Sequence, residues 1–151
     1  MKIRPFEKKD LVECLEMAHH QHQESKWSNL PFDTQRVKDL YLNSINNPQY
    51  CVLLVEHEDK IVGGTACCTN FYIFSYQTYV SDFFFFIYPE HRKGLFAYRL
   101  YQAIYDWAKK KKAQEVVISY GFGDDNERIK KFYTRMGYRP YLDVYKKAVI
   151  Q

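Results

Sequence analysis

Asp82-Phe83-Phe84-Phe85-Phe86-Ile87-Tyr88-Pro89-Glu90-His91-Arg92-Lys93-Gly94-Leu95-Phe96-Ala97 is the stretch from which the rest of the chain can be ordered. Its first half closes an apolar, aromatic run from Gln77 to Ile87, the pattern of a central strand covered on both faces. Pro89 cannot continue such a ladder and stops it. From Lys93 to Lys112 the pattern becomes helical, with Ala97, Leu100, Tyr101, Ile104, Trp107 and Ala108 on one face. Lys109 to Lys112 fall in the last turn, where cations suit the negative end of the helix dipole. Glu115 to Tyr120 then reads as another buried strand. Strand, helix and strand in this order predict a parallel βαβ unit of right-handed crossover.

Upstream, Ile3 to Pro5 reads as a short strand. Asp10 and Glu13 have the spacing of a capping box, and Leu11, Cys14, Leu15 and Ala18 carry a helix to about residue 22. Asp33 caps a second helix, with Val37, Leu40, Tyr41 and Ile45 as its stripe and Asn46-Asn47-Pro48 as its end. Tyr50 to Glu56 and Ile61 to about Phe74 read as strands joined by a Glu58-Asp59 turn, the second bent at Gly63-Gly64. Downstream, one of Asp124, Asp125 and Asn126 caps a helix carrying Ile129, Phe132, Tyr133 and Met136, and Gly137 is its C′ residue. Tyr138 to Val149 should return as one or two strands. The expectation is one mixed α/β domain over residues 1–151, with helices on both faces of a sheet.

Composition sets bounds. A chain of 151 residues can bury a real core. Hydrophobic residues are 46% and aromatic residues 18%, while 5 Pro and 6 Gly argue against disorder. A net charge of +4 suits a polyanionic cofactor, though the commonest explanation of such a bias is a solvated surface. Cys14, Cys51, Cys67 and Cys68 have no framework or zinc spacing, which points to a reducing, cytoplasmic setting. His19, His20 and His22 lack further ligands at suitable spacing, so no metal is expected. No apolar run is long enough to span a bilayer. Nucleic acid would suit the charge, but no RNP-like or zinc-finger motif supports it.

Chemistry concentrates at two places. A glycine-containing turn entering a helix gathers backbone N–H groups at its positive end, which binds phosphate. Gly94 permits close approach, and Arg92 can pair with the anion. The other place is the helix from Asn126 to Tyr138, whose stripe of Ile129, Phe132, Tyr133 and Met136 would ordinarily just pack.

Together the Pro89-to-Gly94 turn and the Asn126-to-Tyr138 helix resemble motifs A and B of the GNAT superfamily of acyltransferases. Asn126, Ile129, Tyr133, Gly137 and Tyr138 take the places of an Asn-x-x-Ala-x-x-x-Tyr-x-x-x-Gly-Phe pattern, with Ile129 for the small residue. The turn departs from the common pattern: with Gly94 in the first glycine place, His91 stands for Gln or Arg and Phe96 for the second glycine. Leu30 to Asp33 and Pro89 to Gly94 are similar to stretches of small phage and prophage members. The resemblance implies a GNAT-like α+β fold, with about six to seven strands and four helices on both faces.

It also implies acetyl-CoA as co-substrate, bound by Phe86, Ile87, Arg92, Lys93, Gly94, Leu95, Phe96, Ala97, Asn126 and Tyr133. Pantetheine would slip between the strand ending at Ile87 and the strand from Glu115. A backbone N–H near Phe86 or Ile87 would polarise the thioester. Tyr133 would donate to the departing sulfur. The acceptor is the primary amine of a small molecule or protein, attacking directly in a ternary complex. Asp82 is the first choice of base, ahead of Glu56 and Glu24. Glu24, Trp27, Phe32 and Tyr79 are expected at the acceptor. The resemblance allows a homodimer and implies neither nucleic-acid nor membrane binding. The alternative is a non-catalytic CoA-binding or virion-associated domain of the same fold.

Overall fold

The computed structural model describes residues 1–92, 94–119, 127–141, 147 and 149. Five strands form one sheet in the order β1 (Lys2–Pro5), β2 (Tyr50–His57), β3 (Lys60–Phe71), β4 (Thr78–Ile87) and β5 (Val116–Val117). The first four pair antiparallel and β5 runs parallel to β4. Helices α1 (Leu11–Glu24) and α2 (Thr34–Asn46) precede β2. Helix α3 (Phe96–Lys110) crosses from β4 to β5, and α4 (Glu127–Arg135) follows. The mixed α+β architecture is the expected one, with five described strands where about six to seven were expected. Leu142 to Lys146, in the segment expected to supply the remainder, lies outside the described residues, and Tyr138 to Tyr141 carries no regular structure.

Two cores lie on opposite faces of the sheet. Because β2 is an interior strand, its side chains alternate between them: Leu53 and Val55 join Val62, Cys67, Val80, Leu100, Tyr101, Ile104 and Ala108 under α3. Val52 and Leu54 join Phe6, Cys14, Met17, Tyr41 and Phe86 under α1 and α2. The hairpin joining β2 to β3 has Glu58 and Asp59 both at positive φ, as its short turn requires.

Several local expectations are corrected. Asp10 does not cap α1 with its side chain. Its carboxylate accepts from Arg4 (2.7 and 2.9 Å) and from the Glu7 N–H (2.8 Å), closing the 3₁₀ turn before the helix. On α2 the Asp33 cap is present, accepting from the Arg36 N–H at 2.9 Å. Only Tyr41 of the α2 stripe is buried, while Leu40 and Ile45 face solvent. Helix α3 begins at Phe96 rather than Lys93, because Pro89–His91 forms a separate 3₁₀ turn.

Two irregularities shape β4. Opposite Ala66 and Cys67 it carries one extra residue, Phe83, as a β-bulge. Phe83 is therefore exposed, against the expected strand buried on both faces. The bulge also reverses the alternation, so Val80 joins the same core as Phe85 and Ile87, while Phe84 and Phe86 face α1 and α2. Thr65, fully buried, donates to the Phe84 carbonyl at 2.8 Å and fixes this kink. At the far end β3 lies so close that a Cβ on Gly63 would come within 2.6 Å of the Phe86 carbonyl oxygen, so glycine is required there.

Candidate active site

The pairing of β4 with β5 is short. It covers Val80 with Val116 and Ser81 with Val117, against the expected strand from Glu115 to Tyr120. The reason is Asp82. Its carboxylate accepts the Ser119 N–H at 3.0 Å and the Ser119 hydroxyl at 3.2 Å, so that N–H is turned away from a strand ladder. From Asp82 to Ile87 the outer edge of β4 has no strand beside it among the described residues. The Tyr88 N–H bonds to Val62 on β3 at 3.0 Å. By alternation the backbone of Phe86 faces β3 as well, and that of Ile87 faces the open edge. Of the two expected thioester donors, Ile87 is the one whose N–H points outward.

Asp82 is half-buried, and that burial, only partly offset by Ser119, pushes its carboxyl up to about 6. No Lys or Arg among the described residues pairs with it. The other two candidate bases are bound to cations. Glu56 accepts from Arg4 at 2.6 Å, and that bond holds its carboxyl below the usual carboxylate range. Glu24 accepts from Arg92 at 2.6 Å.

Tyr133 stands on the same side of the sheet as Asp82, half-buried in α4 against the core under α3. Its helix ends as Gly137 predicts. Gly137 takes φ 86°, its N–H bonds to Thr134 and the Tyr138 N–H reaches back to Tyr133, both at 3.0 Å. The Tyr133 hydroxyl lies 2.6 Å from that of Tyr101 on α3. Tyr101 is stacked on Phe85 at 4.0 Å and 6°, and edge-on to Tyr133 and Tyr138. Burial, and to a lesser degree the charge of Asp82, hold the hydroxyls of both Tyr101 and Tyr138 above the ordinary phenol range. Tyr101 was legible in the sequence only as a core stripe residue. The available signal was a tyrosine where a buried stripe needs no hydroxyl.

At the start of α3, Leu95 is the N-cap and no side chain caps the exposed N–H groups. An uncapped helix start is an anion site in waiting. Gly94 and Leu95 are exposed, Phe96 and Ala97 half-buried, and the Phe96 ring lies edge-on to His57 and His91. Arg92 donates through Nε to the Ile87 carbonyl at 2.7 Å and through Nη2 to Glu24, and Nη1 has no partner among the described residues. Lys93 and Asn126 lie outside the described residues.

The four residues expected at the acceptor are not brought together. Glu24 sits beside Arg92, beyond the end of β4, and Phe32 packs between the rings of His19 and His22. Trp27 is exposed on the turn after α1. Tyr79 lies near the other end of β4 against Tyr72, about 26 Å from Ile87 at about 3.3 Å per residue. Among the described residues no three His, Cys, Asp or Glu side chains gather as a metal would need, and no helix is long and apolar enough to cross a membrane.

The model of the Acetyltransferase (GNAT) family matches residues 12–138. No curated protein sequence matches the chain. Among solved structures, the GNAT family acetyltransferase of Staphylococcus aureus subsp. aureus superposes with a TM-score of 0.68 at 20% identity, covering 98% of each chain. An acetyltransferase of Trypanosoma brucei gives 0.73 at 16%, covering 98% of this chain and 99% of its own. AAC(6')-Iy, solved with the bisubstrate analogue CoA-S-monomethyl-acetylneamine, gives 0.74 at 16%, covering 97% of each. At these identities the likeness is one of fold.

Proposed function

The chain belongs to the acetyltransferase (GNAT) family, and from that premise we propose that it moves an acetyl group from acetyl-CoA to the primary amine of a small molecule or protein. The observation that carries the reading is the edge of β4 beyond Ser81, which no strand covers among the described residues, flanked by a helix start without a side-chain cap and by Asp82 and Tyr133 on one face. Acetyl-CoA supplies an activated carbonyl carbon and a thiol leaving group. The free edge of β4 offers pantetheine the hydrogen bonds an added strand would take. The uncapped N–H groups from Gly94 to Ala97, with Arg92 Nη1, hold the pyrophosphate. Lys93 and Asn126 remain assigned to this site by their motif positions.

The chemistry follows from these positions. The Ile87 N–H donates to the carbonyl oxygen as charge develops on it. The amine nitrogen bonds to the carbonyl carbon as the carbon–sulfur bond breaks. Asp82, five residues and about 16 Å along β4 from Ile87, receives the ammonium proton through intervening water, and the Tyr133 hydroxyl donates to the sulfur that receives the electron pair. Asp82 suits its role because it is desolvated and pairs with no Lys or Arg among the described residues, whereas Glu24 and Glu56 are each held by an arginine.

The direct test is a mass-spectrometric acetylation screen over small amines, antibiotics, polyamines and protein N-termini. Acetyl-CoA consumed without product from any acceptor, or not bound, overturns the reading. Binding is checked separately by Gly94→Glu. A side chain there meets the Phe96 ring at 3.0 Å and sets a negative charge beside the helix start. Calorimetry should show acetyl-CoA affinity falling about tenfold or more, since losing one charge-assisted contact amounts to about 1.5–3 kcal/mol. Unchanged affinity moves the pyrophosphate elsewhere.

A further inference from the structure

Tyr101 occupies the middle of the buried face of α3, 2% exposed. Phenylalanine would fill that place with the same ring, stacked on Phe85. The hydroxyl is therefore unexplained by packing. Its partner among the described residues is the Tyr133 hydroxyl, 2.6 Å away and 32 positions along the chain. Both groups can donate, so the pair has a direction.

Burial decides that direction. If Tyr133 donated to Tyr101, the Tyr101 proton would lie among the Phe85, Phe132 and Tyr138 rings with no acceptor among the described residues. An orphaned buried donor is the costlier arrangement. If Tyr101 donates, its proton is satisfied, and the proton of the half-buried Tyr133 goes to an acceptor other than Tyr101. Burial first, and then the neighbouring Tyr133, hold Tyr101 ionisation well above the ordinary phenol range, so it remains a donor at any working pH. A hydroxyl that accepts a hydrogen bond becomes a better donor itself.

We propose that Tyr101 is a positioning residue whose buried hydroxyl donates to Tyr133 Oη and thereby aims the Tyr133 proton at the leaving sulfur. This rests on the acetyl-transfer reading. No covalent bond changes at Tyr101. It sets the polarity of the chain Tyr101 O–H to Tyr133 O–H to sulfur.

The test is a cycle of Tyr101→Phe, Tyr133→Phe and the double variant, read by kcat, KM and Tm. Tyr101→Phe should lower kcat about 3- to 30-fold with KM for acetyl-CoA unchanged, the mark of an interaction made in the transition state. Added to Tyr133→Phe it should leave kcat where it was and raise Tm, because the orphaned hydroxyl is gone. A fluorinated tyrosine at position 101, a stronger donor of the same shape, should raise kcat. Wild-type kcat in Tyr101→Phe, or the same fold-loss in both backgrounds, overturns the proposal in favour of packing. The stability arm stands apart from catalysis: Tyr133→Phe should lose more Tm than Tyr101→Phe. The reverse order overturns the polarity, whereas a wild-type protein that acetylates nothing defeats the acetyl-transfer reading alone.

Discussion

Tyr133→Phe should lower kcat by about 10- to 1000-fold, the range expected when a positioned proton donor is lost. The ring and its contacts in the aromatic group remain, so only the hydroxyl is tested. A thiol like that of cysteine ionises near 8.5 and tyrosine near 10, so full proton transfer is uphill by about 1.5 units. Tyr133 is therefore expected to stabilise developing thiolate by hydrogen bonding, with protonation completed late. Such a bond strengthens as charge grows, so kcat should fall while acetyl-CoA affinity holds. Stability will not be silent. The Tyr101 hydroxyl, 2.6 Å away and buried, loses its acceptor. That costs about 1–3 kcal/mol and lowers Tm by about 2–4 °C for each kcal/mol in a domain of this size. A purely packing Tyr133 would give the loss of Tm without the loss of kcat. Stopped-assay kinetics beside a thermal melt on the same preparation separate the two.

The elements that could be read from sequence are those governed by local rules. The Asp33 cap, the apolar face of α3 and the Gly137 C′ residue each depend on residues within one or two turns, and each is in place. The misread features depend on distant partners. Asp10 looked like a cap because Glu13 follows at the right spacing, but Arg4 offers a stronger, charge-assisted pair. Leu40 and Ile45 fit a helical stripe, yet α2 buries only the part of it around Tyr41. The bulge at Phe83 is invisible in an aromatic run, since every residue there suits either face.

The candidate site shows the same division. Motif positions nominate Tyr133 and the turn at Gly94, and Asp82 is nominated by its place ahead of the aromatic run. They could not show that Arg92 is tied to Ile87 and Glu24, or that Tyr101 meets Tyr133, because those pairs are 5, 68 and 32 positions apart. Nor could they choose between Phe86 and Ile87 as the outward N–H, which depends on the registry with Val62. The acceptor residues were grouped by sequence segment, and the ends of β4 hold those segments apart.

Asp82→Asn carries the other large effect, and its two halves have opposite signs. As the base, Asp82 must be ionised, and burial raises it to about 6. The rate kcat/KM should therefore climb with pH through about 6 in the wild type. In Asp82→Asn that limb should disappear and the rate fall by about 10²- to 10⁴-fold. The same burial acts on stability. An ordinary carboxylate at 3.8 ionises before the folded one does, so between pH 4 and pH 6 the folded chain holds the proton more tightly than the unfolded chain. The group's favourable contribution is complete below pH 4 and lost as pH rises through about 6. At full value the rise corresponds to about 3 kcal/mol. The Asn oxygen can still accept from Ser119. Its amide hydrogens need acceptors of their own, which offsets part of the gain. Asp82→Asn should then be more stable than wild type by about 1–2 kcal/mol at pH 8, and equal to it at pH 3.5. A variant that is slower and more stable at pH 8, with the stability difference vanishing in acid, identifies a desolvated carboxylate held for chemistry. An unchanged acid limb in Asp82→Asn transfers the base to another group, and an unchanged melt at pH 8 shows that Asp82 is better solvated than its half-buried place implies.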